Sequence, residues 1–206
     1  VATTPNTSFE DIRDGIQTYH IQAGYPKRFR AWLSLYNQQT IAPFRNVIQN
    51  VKPDVVNAHN IHFQLSYHTL KVAHDAGIPT VFSAHDVMPF AYTKLTHFID
   101  PAHSGVINPQ DYRLPAGYNF KQNRLRYNPF RNPLIRRYLS KFADIRTAPS
   151  KALRDALMAN DLPLFEVVHN GIDLEAWACV DAVQVESLRV RLGLAPGRTN
   201  PQRMRF

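Results

Sequence analysis

Residues 53–86, PDVVNAHNIHFQLSYHTLKVAHDAGIPTVFSAHD, have the order of a parallel β-α-β unit. The short apolar run Asp54 to Ala58 leads into the polar cluster His59, Asn60, Ile61, His62. A helix-period segment follows from about Leu65, with Leu65, Thr69, Val72, Ala73 and Ala76 as its buried stripe and Gly77 as its C-terminal cap. Past Pro79, a second apolar run from Thr80 to Ala84 ends in His85 and Asp86. Two parallel strands thus carry imidazole and amide groups to one edge. In open α/β sheets, ligands bind outside the carboxyl ends of the strands, so the chemistry is expected there.

Outward from this unit the same alternation continues. Gly15 to Ile21 reads as a strand. From Lys27 to Val51 the apolar spacing is helical (Phe29, Trp32, Leu33, Tyr36, then Phe44, Val47, Ile48, Val51), and Pro43 is expected in the first turn of the second helix. Met88 to about Asn128 has little period, as in a long functional connection. Pro133 to Phe142 is amphipathic, with Leu134, Ile135, Tyr138, Leu139 and Phe142 on one side. Ala143–Pro149 reads as a strand, Ser150 as the N-cap of a helix over Lys151–Ala159, and Phe165–His169 as a strand ending in a turn at Asn170 and Gly171. Val183–Leu192 reads as a helix closed by Gly193. The prediction is an α/β, Rossmann-like three-layer domain whose mostly parallel sheet has strands near 16–21, 54–58, 80–84, 144–148 and 165–169.

Composition bounds the function. The chain has 206 residues, 44% of them hydrophobic, enough for one substantial core. Its single cysteine, Cys179, excludes a disulfide framework or a multi-cysteine zinc site and favours a reducing compartment, hence the cytoplasm. No apolar run reaches the roughly 18 residues a membrane helix needs. The net charge of +8 is concentrated: between Asp111 and Asp144 no acidic residue occurs, while Arg113, Lys121, Arg124, Arg126, Arg131, Arg136, Arg137 and Lys141 do. Such a block attracts anions or is simply a solvated face. A nucleic-acid module would use it too, but no aromatic platform or helix-turn-helix signature accompanies it.

His59, His62, His85 and Asp86 converge well enough to pose a metal-dependent hydrolase as an alternative. A neutral His85 acting through hydrogen bonds at a pocket floor is the other reading, and a structural role is the third. No Gly-x-Gly-x-x-Gly or Walker loop is present, no two aspartates stand two apart, and no Gly-x-Ser-x-Gly elbow makes Ser150 a nucleophile.

Taken in order, PDVVNAHN, GIPTVFSAHD, ADIRTAPSKALRDAL and EVVHNGIDLEAW resemble the N-terminal, acceptor-side domain of the family 4 glycosyltransferases, which have the GT-B fold. The resemblance runs from about Gly15 to Trp177. It implies two Rossmann-like domains across a cleft, a nucleotide-sugar donor held mainly by the second, and a glycan or lipid-linked acceptor, as in cell-envelope or polysaccharide biosynthesis. It implies no cofactor or metal, retention at the sugar, and no nucleic acid. It places His85 at the transferred sugar as the catalytic residue, His59, Asn60 and Asp86 among substrate-binding groups, and Asn170, Gly171 and Asp173 at the hinge and cleft. Arg136, Arg137 and Lys141 would form an anion-facing surface, with peripheral contact at the inner membrane face. The family's opening strand and Gly-rich turn are not seen, nor its paired glutamates. The chain is therefore read as a fragment, residues 1–177 being the N-terminal domain and 178–206 the linker and start of a donor domain, and by itself inactive.

Overall fold

A computed structural model describes residues 1–92, 112–174 and 182–193. The middle of the long connection, Trp177, Cys179 and the basic tail beyond 193 lie outside the described residues. The strands are β1 (Ala2–Thr4), β2 (Phe9–Arg13), β3 (Ile16–Gln22), β4 (Val56–His59), β5 (Thr80–Ser83), β6 (Ile145–Ala148) and β7 (Glu166–Val167). The helices are α1 (Arg30–Leu33), α2 (Gln38–Val51), α3 (His68–Asp75), α4 (Tyr118–Asn123), α5 (Arg131–Phe142), α6 (Lys151–Ala159) and α7 (Ala182–Arg191). Two compact units divide the chain, Val1–His169 and Asn170–Phe206, and α7 belongs to the second.

The first unit contains a four-stranded, all-parallel sheet in the order β4-β5-β6-β7, flanked by helices, as in a Rossmann-like domain. The strand expected at 16–21 exists as β3 but is not part of this sheet. It lies in a second sheet of order β1-β3-β2, parallel to β1 and antiparallel to β2. The cause is local: Asp14 (φ 50°) and Gly15 (φ 78°) make a two-residue hairpin turn that opposes Arg13 to Ile16. The hairpin is further held by His20, whose ring stacks on Phe9 at 4.1 Å and whose Nε2 lies 3.0 Å from Asp11 Oδ1.

α2 joins the hairpin sheet to the larger one. Its buried Ile41, Phe44 and Ile48 share a core with Ile21 of β3 and with Val72 and Ala73 of α3. Asn37, not Pro43, starts this helix: its side-chain oxygen accepts from Gln39 N at 3.2 Å. Pro43 sits inside the helix, where it cannot donate the bond to the Gln39 carbonyl that another residue would make.

α3 begins at His68, later than Leu65, because 61–66 closes first as a turn with Ser66 N on Ile61 O at 2.8 Å. Its end follows the left-handed motif that the Gly anticipates. Gly77 (φ 75°) donates to His74 O at 2.9 Å and Ile78 to Ala73 O at 3.1 Å. The buried stripe is Thr69, Leu70, Val72 and Ala73, while Ala76, as the cap residue, is exposed.

The main core lies under β4–β6. Phe82, Leu70, Tyr67, Leu157 and Phe165 pack with Ile135 and Leu139 of α5, the last two with no exposed surface. Burying each of these aliphatic side chains contributes about 2 kcal/mol. Leu134, expected on the same face, stands at the rim, 36% exposed. Asp144 fastens the entry to β5: its Oδ2 accepts Thr80 N at 2.7 Å and Thr80 Oγ1 at 3.2 Å. Those bonds, the backbone N–H first, hold its carboxyl below the ordinary range. Ser150 Oγ caps α6 by accepting Leu153 N at 3.2 Å.

Candidate functional site

Parallel register places His59 opposite Ser83, so His85, two residues past Ser83, stands at the same carboxyl edge. The two imidazoles meet there, His59 Nδ1 lying 2.7 Å from His85 Nε2, with ring centroids 5.0 Å apart and planes inclined by 22°. One nitrogen must carry the proton and the other accept it, so the pair in contact is neutral or holds one extra charge. Burial, then the neighbouring His85, holds His59 below its ordinary pKa of 6.5, which favours a neutral His59 at pH 7. Both residues are exposed, so His59 Nε2 and His85 Nδ1 remain to hydrogen-bond an incoming ligand.

A polar row runs behind them across three strands. Thr147 Oγ1 donates to Ser83 Oγ at 3.0 Å, and Ser83 Oγ donates to Asn57 Oδ1 at 3.0 Å. Asn60, next after β4, adopts φ 50° and is exposed; asparagine tolerates this left-handed turn better than most residues. The turn ends the strand and swings His62 inward, where it is only 2% exposed.

Asp86 organises the following loop. Its Oδ1 accepts Met88 N at 2.8 Å, and its Oδ2 lies 3.6 Å from His62 Nε2, too far for a good hydrogen bond. Residues 88–92 are then held from outside. Arg131 Nη2 donates to Met88 O at 2.7 Å, Asn132 Nδ2 to Phe90 O at 2.7 Å, and Asn119 Nδ2 to the same oxygen at 2.9 Å. Tyr92 N donates to Asn119 Oδ1 at 2.9 Å and Arg30 Nη2 to Tyr92 O at 2.7 Å. Arg131 is 1% exposed and no carboxylate pairs with it among the described residues. The sequence pattern missed this clamp: Arg131 lies in a basic stretch just ahead of the apolar stripe of α5, where an arginine reads as solvent-facing.

Burial, with Arg131 and Arg30 adding to it and Asp86 opposing, holds His62 down at about 4. The sign of the resulting pH effect is fixed. Between pH 6.5 and 4 the unfolded chain takes up a proton that the folded chain refuses, so stability is fully present above 6.5 and falls as pH drops. The loss should be on the order of 2 kcal/mol at pH 5. Urea denaturation at pH 7 and pH 5 checks this: His62→Gln should flatten the difference, and an undiminished slope in that variant would place its origin elsewhere.

These contacts bear on the alternative metal reading. The nitrogens of His59 and His85 point at each other and His62 turns toward Asp86, and among the described residues no three such side chains are grouped to hold an ion. A cleft of about 460 Å³ runs along the free edge of β4, walled by Tyr19, Phe44, Ile48, Val56 and Ala58, with His59 at its margin.

Of the basic residues of α5, Arg136, Arg137 and Lys141 are exposed and Arg131 is buried. Arg136 Nη2 lies 3.2 Å from Asp161 Oδ2, which also meets Arg113 at 3.3 Å. Asn170, Gly171 and Asp173 are exposed and irregular, within the second unit; Gly171 does not take up a left-handed φ. No described helix is long and apolar enough to cross a membrane.

Comparison with known proteins adds one finding. No curated protein and no solved structure matches the chain. A family model described as Glycosyltransferase Family 4 does, over residues 2–176, a span that contains both sheets and the whole strand edge with His59 and His85. With its four-stranded parallel sheet, the chain therefore belongs to Glycosyltransferase Family 4.

Proposed function

We propose that the protein transfers a hexose-type sugar from a nucleoside diphosphate donor to a hydroxyl group of a glycan or lipid-linked acceptor, and that this domain carries the acceptor side. The observation that carries the reading is the contact of His59 with His85 at the carboxyl edge of a parallel sheet, in a chain of this family. In the reaction the bond from the anomeric carbon to the diphosphate oxygen breaks and a bond to the acceptor oxygen forms, the acceptor proton leaving with the diphosphate or to solvent. The transition state is oxocarbenium-like, and negative charge builds on the leaving group.

His85, oriented by His59, hydrogen-bonds the sugar and so fixes its pose. His59 is a positioning residue. Asn60 and Asp86 frame the acceptor entrance, and Asn170, Gly171 and Asp173 lead to the domain that holds the nucleotide. No cofactor or metal takes part in this scheme. Residues 1–206 alone are expected to be inactive, and the enzyme is placed in the cytoplasm.

The test is a panel of UDP-, GDP- and ADP-sugars incubated with the full-length protein and glycan or polyprenyl-lipid acceptors, in the presence of a chelator. Release of nucleoside diphosphate that depends on both one donor and one acceptor supports the reading. Turnover of no donor in the panel would overturn it.

A further inference from the structure

Seven buried side-chain nitrogen and oxygen atoms lack a hydrogen-bond partner among the described residues, and all of them fall in residues 30–34 and 62–67 or at Arg131. They form one cluster. Tyr67 N donates to Ser34 O at 2.8 Å, and the guanidiniums of Arg30 and Arg131 lie 4.8 and 5.7 Å from the centroid of the same Tyr92 ring. The Arg30 guanidinium also lies 5.7 Å from the Phe63 ring, whose centroid is 4.5 Å from that of His62. His62 and Asp86 each stand three residues past the end of their strand, β4 and β5. The cluster therefore reaches the carboxyl edge that carries His59 and His85.

The unpartnered atoms are of one chemical kind. Arg30 Nε, Arg131 Nε, His62 Nε2 and the hydroxyls of Ser34, Ser66 and Tyr67 can all donate, and only Gln64 Oε1 cannot. Tyr67 is 0% exposed and burial raises its pKa, so its hydroxyl keeps the proton it would donate. Both arginines are anchored through Nη2, on Tyr92 O and Met88 O, which fixes each Nε. The charge is unbalanced in the same sense. Arg30 and Arg131 repel each other, and Asp86, the carboxylate that acts on the cluster, is 42% exposed and spends Oδ1 on Met88 N. Buried donors left unpaired cost free energy. Ordered water would accept from some of them but leaves the guanidiniums uncompensated. An oxyanion supplies several acceptors and the missing charge together.

We propose that Arg30, His62, Tyr67 and Arg131 hold a phosphoryl-type oxyanion beside the His59–His85 pair. Arg30 Nε, Arg131 Nε and the Tyr67 hydroxyl donate to its oxygens. Arg30 and Asp86, which keep part of their surface exposed, mark the side from which it enters. The oxyanion is either free phosphate or a phosphoryl group carried by the acceptor, and only that second source rests on the transfer reaction proposed above.

Isothermal titration of inorganic phosphate into the full-length protein, without any nucleotide sugar, tests the site. A saturable heat is expected. Tyr67→Phe removes one donor and keeps the ring, and should weaken binding about tenfold, as should Arg30→Met, which removes a charge and keeps the stem. In phosphate-free buffer Tyr67→Phe should melt no lower than wild type, because the lost hydroxyl had no partner. On adding phosphate it should gain less than wild type does. Methyl phosphate separates the two sources. Binding equal to that of inorganic phosphate shows one oxygen free to carry an acceptor, and exclusion of the methyl ester assigns the free ion. The proposal is overturned if phosphate gives no saturable heat, as when water alone fills the site, or if both variants bind phosphate as wild type does. Sugar transfer is assayed separately with the donor and acceptor panel. Transfer without phosphate binding overturns this inference alone, and phosphate binding without transfer overturns only the transfer reading.

Discussion

Replacing His85 by alanine should lower kcat for sugar transfer about tenfold to a hundredfold, with little change in KM for the acceptor or in melting temperature. The size follows from hydrogen bonds that tighten as charge develops on the sugar, worth about 1–3 kcal/mol together, each 1.4 kcal/mol being a factor of ten in rate. Stability should be spared because His85 is exposed and its only side-chain partner among the described residues is another exposed imidazole. His59→Ala should cost less, since it removes only the group that orients His85. The double variant should then be scarcely slower than His85→Ala, because the two act as one unit. Steady-state kinetics of the three variants checks this. A kcat within twofold of wild type for His85→Ala would remove it from the reaction.

Arg131→Ala should destabilise the domain by about 3–5 kcal/mol. Two effects compete here. The buried guanidinium lacks a carboxylate partner among the described residues and burial pushes its pKa down, so removing the charge relieves a desolvation cost. Against this, the side chain donates to Met88 O and Asn132 Oδ1, and its guanidinium lies 5.7 Å from the centroid of the Tyr92 ring. Truncation leaves a cavity under the loop and an unpaired carbonyl in it, and those losses win. Arg131→Met, which refills the volume, should recover part of the deficit but not the bond to Met88. Urea denaturation at pH 7 gives both values, and a loss below 1 kcal/mol for Arg131→Ala would show that packing, not this clamp, holds residues 88–92. Because Met88 is also tied to Asp86, the same variant should slow transfer beyond its effect on folding.

Much of the frame could be read from residue order because the cues were local. The switch from period-two to helical spacing around Gly77, the Ser150 cap and the apolar run 80–84 each act within a few residues, and β5, α6 and the end of α3 follow them closely. That His59 and His85 share an edge also followed, since parallel strands joined by one helix end together. Their contact at 2.7 Å did not, because it depends on a one-residue register between strands 26 positions apart. The hairpin was signalled by Asp14-Gly15, yet β2 is polar enough (Phe9-Glu-Asp-Ile-Arg) to hide as a loop, so β3 was assigned to the wrong sheet. Pro43 outweighed the better cap at Asn37 for a similar reason: a proline is a strong signal even where a helix absorbs it. Burial of Arg131 and His62 is a tertiary outcome, and no spacing rule would have chosen those two from among the chain's cations and histidines.

The most direct test of the account is the structure of the full-length protein with a non-transferable nucleotide-sugar analogue and an acceptor. The sugar should lie within hydrogen-bonding distance, about 3 Å, of the His85 nitrogen that faces away from His59, with the acceptor hydroxyl between the sugar and the turn at Asn60. A sugar bound away from both histidines, or a metal ion bridging His59, His85 and Asp86 in its place, would contradict it.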